Sequence, residues 1–237
     1  PSCEEIVRIA IVAPSPIPFL VGGAEKLFAG LYYNLLKHTN HHVELIKIPV
    51  KDQEFWSLID GYYRVSQLDL NYFDVVISTK YPAWLISHPN HHVYLQHTSR
   101  GVYDLYHLTG KPEGLDGLNA VAPVREVLRL IRENPTRDVL PPLFESLARL
   151  RDAALPESYF EFPGPLTRVI VRFLDAIALN PLYIQSYSAI SKTVSEREGY
   201  FPKGVPVRVL HHPTSLEGLH SKSYDYIFTA SRLEGLK

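Results

Sequence analysis

"RIAIVAPSPIPFLVGGAEKLFAGLYYNLLKH", residues 8–38, is the stretch on which the fold turns. Residues 8–13, RIAIVA, form a short continuous apolar run, the mark of a strand buried on both faces. Residues 24–38 follow another period. Leu27, Leu31 and Leu35 recur every four residues, with Ala24 and Phe28 beside them, which draws one apolar stripe along a helix. Between strand and helix stand three prolines and the pair Gly22–Gly23. A buried strand, a loop and an amphipathic helix make the first half of a βαβ unit.

Outward from this stretch the alternation continues. HVELIKIPV (42–50), FDVVIST (73–79) and HHVYLQH (91–97) read as strands, and EFWSLIDGYYRV (54–65) as a helix despite Gly61. Strand–helix–strand, repeated, predicts an α/β fold: a Rossmann-like, doubly wound parallel sheet. From about residue 101 to 180 the rhythm breaks. APVREVLRLIREN (122–134), PPLFESLARLRDAAL (141–155) and PLTRVIVRFLDAIAL (165–179) are amphipathic pieces with prolines at their starts, where a helix tolerates them. They are expected to form a helical insertion on the sheet. The alternation returns with strand YSAIS (187–191), helix KTVSEREGYF (192–201), strand VRVLHH (207–212) and a last strand, YIFTAS (226–231).

Composition excludes several classes. Of 237 residues, 46% are hydrophobic and 21% charged, enough for a substantial core and too apolar for a disordered chain. A net charge of −1 gives no basic footprint for nucleic acid. The one cysteine, Cys3, rules out a disulfide framework and fits a reducing compartment, so a cytoplasmic location is expected. No apolar run approaches a membrane span. The basic amphipathic piece TRVIVRFLDAIAL (167–179) suggests a peripheral contact with the inner membrane face, although such a stretch more often packs on its own domain.

In an open parallel sheet, ligands gather outside the carboxyl ends of the strands. After the first strand come Gly22 and Gly23, immediately before a helix whose first amides are unpaired donors. The loop is not GxGxxG, so no dinucleotide fingerprint is present, and a simple turn with a helix cap explains the pair equally well. After the fourth strand, His97 is expected to face the crevice, with Arg100 three residues on. An imidazole there can bond a hydroxyl or act on a proton near neutral pH, or it is a satisfied core histidine beside a surface arginine. The His pairs 41–42, 91–92 and 211–212 do not chelate one ion, because neighbours on a strand point to opposite faces. No metal site is predicted.

These residues resemble a known family, the retaining glycosyltransferases of family four, with the GT-B fold. GGAEK (22–26) is similar to that family's GGAE motif. STKYPAWLISHPNHHVYLQHTSRGVYDLY (78–106) resembles a subgroup whose strand ends in His, followed by Arg and a Tyr-Asp pair. AISKTVSEREGYFPKGVPVRVLHHP (189–213) is similar to the stretch before the interdomain linker, and YIFTASRLEGLK (226–237) resembles the opening strand and phosphate loop of the second domain. The resemblance implies residues 1–222 as the acceptor-side N-terminal domain, and 223–237 as the start of a C-terminal domain that binds the nucleotide-sugar. It implies transfer from a UDP- or GDP-sugar to a sugar, glycolipid or polysaccharide acceptor, with retained anomeric configuration, no cofactor and no strict need for a metal. Gly22 and Gly23 would lie near the donor phosphates, His97 by the transferred sugar, Arg100 and Asp104 on the acceptor or sugar side. Arg232 and Lys237 would neutralise the leaving diphosphate. Ser231 stands where the family has glycine, and the paired-glutamate motif of the second domain does not occur in this sequence, so these 237 residues alone are expected to lack turnover. Two rivals stand beside this: a GT-B nucleotide-sugar epimerase, which would carry acid/base carboxylates at its strand ends, and a non-catalytic carbohydrate-binding or assembly module.

Overall fold

The structure, a computed structural model, describes residues 5–16 and 22–213. The strand expected at 226–231, the domain boundary near 222, and Arg232 and Lys237 lie outside the described residues. Six parallel strands form one sheet: β1 (Arg8–Ser15), β2 (His42–Pro49), β3 (Val75–Ser78), β4 (His91–Leu95), β5 (Ser186–Ala189) and β6 (Val207–Val209), in the order β2-β1-β3-β4-β5-β6. The order reverses at β1, whose neighbours are β2 on one side and β3 on the other. The helices are α1 (Gly23–His38), α2 (Phe55–Ser66), α3 (Ala122–Glu133), α4 (Leu140–Asp152), α5 (Pro165–Ala178) and α6 (Lys192–Ser195). This is the α/β, Rossmann-like sheet expected from the opening stretch.

β1 shows why the continuous apolar run was needed. Ala10 and Val12 point into the larger core, with α2, α5 and the helices outside them. Ile9 and Ile11 point to the other face, against Leu31, Tyr32 and Leu35 of α1, and Ala13 meets Leu27 and Phe28. Both faces are covered, so alternation would have left a polar side chain in a core.

The region 101–180 is helical, but it is not all an addition. α5 packs in the main core, burying Leu166, Ile170, Val171, Leu174 and Ile177. It is the crossover helix that a parallel β4–β5 connection requires. Only α3 and α4 are extra. The apolar stripe of α5 is therefore occupied by the sheet side of the molecule. No helix among the described residues is long and apolar enough to cross a membrane.

Arg137 ties the extra layer down. Its guanidinium donates to the carbonyls of Trp84 (3.0 Å), Ile86 (2.8 Å) and Ala178 (2.7 Å), the last at the carboxyl end of α5. It also lies over the Tyr183 ring. Burial lowers its pKa to about 10, still charged at neutral pH. α6 is shorter than the helix expected over 192–201. Ser191 caps it, its Oγ accepting from the Val194 amide. Gly199 then adopts φ +76, and the chain turns inward to bury Tyr200.

Candidate functional site

The carboxyl ends of the strands carry a polar cluster built from four connections. Ser15 ends β1, Asp52 follows β2, Lys80 and Tyr81 follow β3, and His97, Thr98 and Arg100 follow β4. Beyond β5, Arg197 and Tyr200 close the far side. An open pocket of about 530 Å³ lies over the β4 and β5 ends, lined by Tyr81, Gln96, His97, Thr98, Arg100, Ile190, Val194 and Arg197.

His97 stands in this pocket as expected. Its Nδ1 lies 2.8 Å from the Thr98 carbonyl, which can only accept, so Nδ1 carries the proton. The other nitrogen, Nε2, is then an acceptor, and it has no hydrogen-bond partner among the described residues. Burial lowers the imidazole's pKa; the bond to Thr98 opposes this and Lys80 adds to it. The ring is thus held neutral near pH 7, in the lining of the pocket. Tyr81 packs edge-on against it, the ring centres 6.0 Å apart.

Behind His97, Asp52 binds Lys80 Nζ at 2.7 Å and accepts from the Tyr81 hydroxyl at 2.9 Å. Burial pushes the Asp52 carboxyl up, but Lys80 and Tyr81 outweigh it and leave the pKa below its ordinary value. The epimerase reading requires an acid/base carboxylate at these ends. Asp52 is one, yet it is consumed by an ion pair rather than presented to the pocket.

Arg100 and Asp104, both singled out from the sequence, meet each other. Arg100 Nε and Nη2 donate to Asp104 Oδ2 at 3.0 and 2.8 Å. Asp104 Oδ1 accepts from the Tyr200 hydroxyl at 2.8 Å, and Arg197 stands 4.0 Å away. Burial works against ionisation of Asp104, but its bonds to Arg100 and Tyr200 prevail and its pKa is lowered. Arg100 Nη1 makes no hydrogen bond of ordinary geometry among the described residues, although the Tyr200 hydroxyl lies close to the guanidinium.

Gly22 and Gly23 are not in this pocket. Gly22 is the N-cap of α1, and its amide donates to Glu25 Oε2 at 2.9 Å. Ser15 Oγ donates to Glu25 Oε1 at 3.1 Å. This is the half of a capping box that a glycine permits. A Cβ on Gly22 would stand 2.7 Å from the same carboxylate oxygen, while one on Gly23 would meet nothing within 4 Å. The first residue is glycine for its own cap, and that amide is already occupied.

Sequence reasoning missed Asp175. It is fully buried on α5 and accepts from the hydroxyls of Tyr62 and, at 2.8 Å, Tyr103. Burial drives its pKa up to about 7 against the pull of both tyrosines. Arg197 and Lys80 were also missed. Lys80 had a signal, its place two residues past Ser78, the last residue of β3; Arg197 had none, because only the fold brings it beside Arg100.

Among the described residues, a larger groove of about 610 Å³ lies between α2 and α4, lined by Trp56, Tyr63, Phe144 and Arg151 among others. It reaches no strand end, and its Arg151 is engaged with Asp60 at 2.7 Å. The histidine pairs make no metal site. His91 bonds Ser78 and His92 bonds Ser186, on opposite faces of β4, and no group of metal-ligating side chains occurs among the described residues. Comparison with protein-family models, with curated proteins and with solved structures finds no match to this chain.

Proposed function

We propose that the protein takes part in glycosyl transfer, as the acceptor-side half of a retaining, GT-B-type glycosyltransferase. The observation that carries this reading is His97: a neutral imidazole just past the carboxyl end of a central strand, its Nδ1 committed to the Thr98 carbonyl and its ring in the lining of an open pocket. An acceptor nitrogen so placed bonds a sugar hydroxyl and orients it. In the transfer itself the bond from the anomeric carbon to the phosphate oxygen breaks, and the electron pair leaves with the diphosphate. An acceptor oxygen bonds to that carbon and passes its proton to the departing phosphate oxygen. Fixed cations at the site lower the cost of the charge that develops on phosphate. The resemblance of the strand-end motifs to family four supplies the substrate class, a UDP- or GDP-sugar.

The test is a donor screen. Labelled UDP- and GDP-sugars are offered, with sugar, glycolipid and oligosaccharide acceptors, to the full gene product and to residues 1–237 alone. Transfer by the gene product, reduced at least a hundredfold in His97→Ala, is the expected result. Equal transfer in the variant removes His97 from the mechanism. Retained sugar binding with no transfer from any donor replaces the reading with that of a binding module.

A further inference from the structure

We propose that Arg100 and Arg197 hold a phosphate group of the acceptor, so that the acceptor is a phosphorylated sugar or alcohol. The word acceptor rests on the glycosyl-transfer reading; the anion site does not.

Three observations converge. The first is surplus charge. One carboxylate, Asp104, serves both Arg100 and Arg197, at 2.8 and 4.0 Å. Behind His97, Lys80 and Asp52 match one to one and add no net charge. Two cations that line the pocket therefore share one carboxylate, and the neutral His97 beside them adds no charge. The arginines are only partly exposed, at 38% and 28%, so their field is less screened than that of a surface pair.

The second is the direction of the free donors. The fork of Arg100 is occupied by Asp104, with the Tyr200 hydroxyl close by, and Nη1 makes no hydrogen bond of ordinary geometry among the described residues. Arg197 gives Nη1 to the Tyr200 hydroxyl at 3.3 Å, and its Nε and Nη2 have no partner among the described residues. Single donors from separate side chains suit a tetrahedral oxyanion with three acceptor oxygens. A planar carboxylate would want an intact fork.

The third is Thr98. It is 1% exposed, it lines the same pocket, and its Oγ1 makes no hydrogen bond of ordinary geometry among the described residues: the Tyr200 hydroxyl beside it already donates to Asp104. A buried hydroxyl left unpaired is costly, and a native site that tolerates one commonly pairs it with a ligand.

Topology separates this anion site from the first turn of α1. The pocket lies over β4 and β5, and β1 is two strands away from β4. At the usual spacing of parallel strands that is roughly 10 Å or more. Phosphates held at the two places belong to two molecules or to two ends of one.

The experiment is a calorimetric titration of the 237-residue chain with inorganic phosphate, glucose 6-phosphate, glucose and UDP, at low and at physiological salt. Glucose 6-phosphate is expected to bind, glucose at least tenfold more weakly. Arg100→Met and Arg197→Met should each weaken the phosphate ester tenfold or more, while Arg151→Met, in the distant groove, leaves it unchanged. Thermal melts establish that each variant folds. Should one arginine variant fail to fold, amide shift mapping on the wild type decides the matter: perturbation by phosphate must centre on residues 98–100 and 197. Arginine-dependent binding of UDP alone overturns the acceptor assignment, and no binding of any phosphate compound overturns the site. Phosphate binding without transfer in the donor screen refutes glycosyl transfer and leaves the anion site standing. Transfer to phosphate-free acceptors that is untouched by both arginine variants does the reverse.

Discussion

Replacing Asp175 by asparagine tests the electrostatics of the core with a number. Asp175 is buried on α5, and burial raises its folded-state pKa from 3.8 to about 7. A carboxyl whose folded pKa is raised binds its proton more tightly in the native state. Its favourable contribution is complete below the unfolded value near 3.8 and is lost as pH climbs through about 7. A displacement of about three pH units corresponds to about 4 kcal/mol, at about 1.4 kcal/mol per unit. The amide introduced by Asp175→Asn has nearly the same shape as the carboxyl and never ionises. The variant's stability relative to wild type should therefore rise by about 4 kcal/mol between about pH 4 and about pH 8. Any fixed offset from re-pairing the Tyr62 and Tyr103 hydroxyls cancels in that difference. Urea denaturation of both proteins at matched pH values measures it. A difference that stays constant within about 1 kcal/mol across the range would show that Asp175 is not held protonated, and that water or a cation reaches it.

Three further outcomes follow from the same structure. Lys80→Met leaves the Asp52 carboxylate largely buried without its cation and should cost about 3 kcal/mol at neutral pH. Because the pKa of Asp52 is lowered in the folded state, its stabilising share is present above the unfolded value and lost on acidification, so the cost should shrink below about pH 4 in urea titrations. Leu174→Ala, at a fully buried α5 position, should lose about 3 kcal/mol, whereas Leu182→Ala, 74% exposed, should stay within about 0.5 kcal/mol; equal effects would deny α5 its place in the core. For His97, nitrogen-15 NMR should find the proton on Nδ1 and a titration midpoint below the ordinary histidine value. A protonated Nε2 in the neutral ring would overturn the orientation on which the functional proposal depends.

Much of the fold could be read from short-range pattern. The strand at 8–15 announced itself as an apolar run, those at 42–49 and 91–95 by their place in the strand–helix alternation, and α3, α4 and α5 as stripes begun by prolines. Such signals are local: a side chain's periodicity says which face is buried. They do not say against what. The segment 165–178 has the same amphipathic look as 122–133, yet α5 is the crossover helix in the core and α3 an added layer. His97 and Arg100 were legible in the same way, as polar residues just past a strand end. The α6 turn was not, because its length depends on Tyr200 finding a buried place and a partner in Asp104, almost a hundred positions away.

The sequence by itself determined an α/β chain with a parallel sheet, and it put a histidine and an arginine where such sheets bind ligands. Period and strand-end position are properties of neighbouring residues, so one dimension suffices for them. The tertiary structure alone decided that Arg197 joins Arg100 on a single carboxylate, that Lys80 cancels Asp52, and that Asp175 lies sealed between two tyrosines. It also decided that the Gly22 amide is occupied by Glu25 rather than left free. Charge balance and solvation depend on distances through space between residues far apart in the chain, and no local pattern encodes those distances.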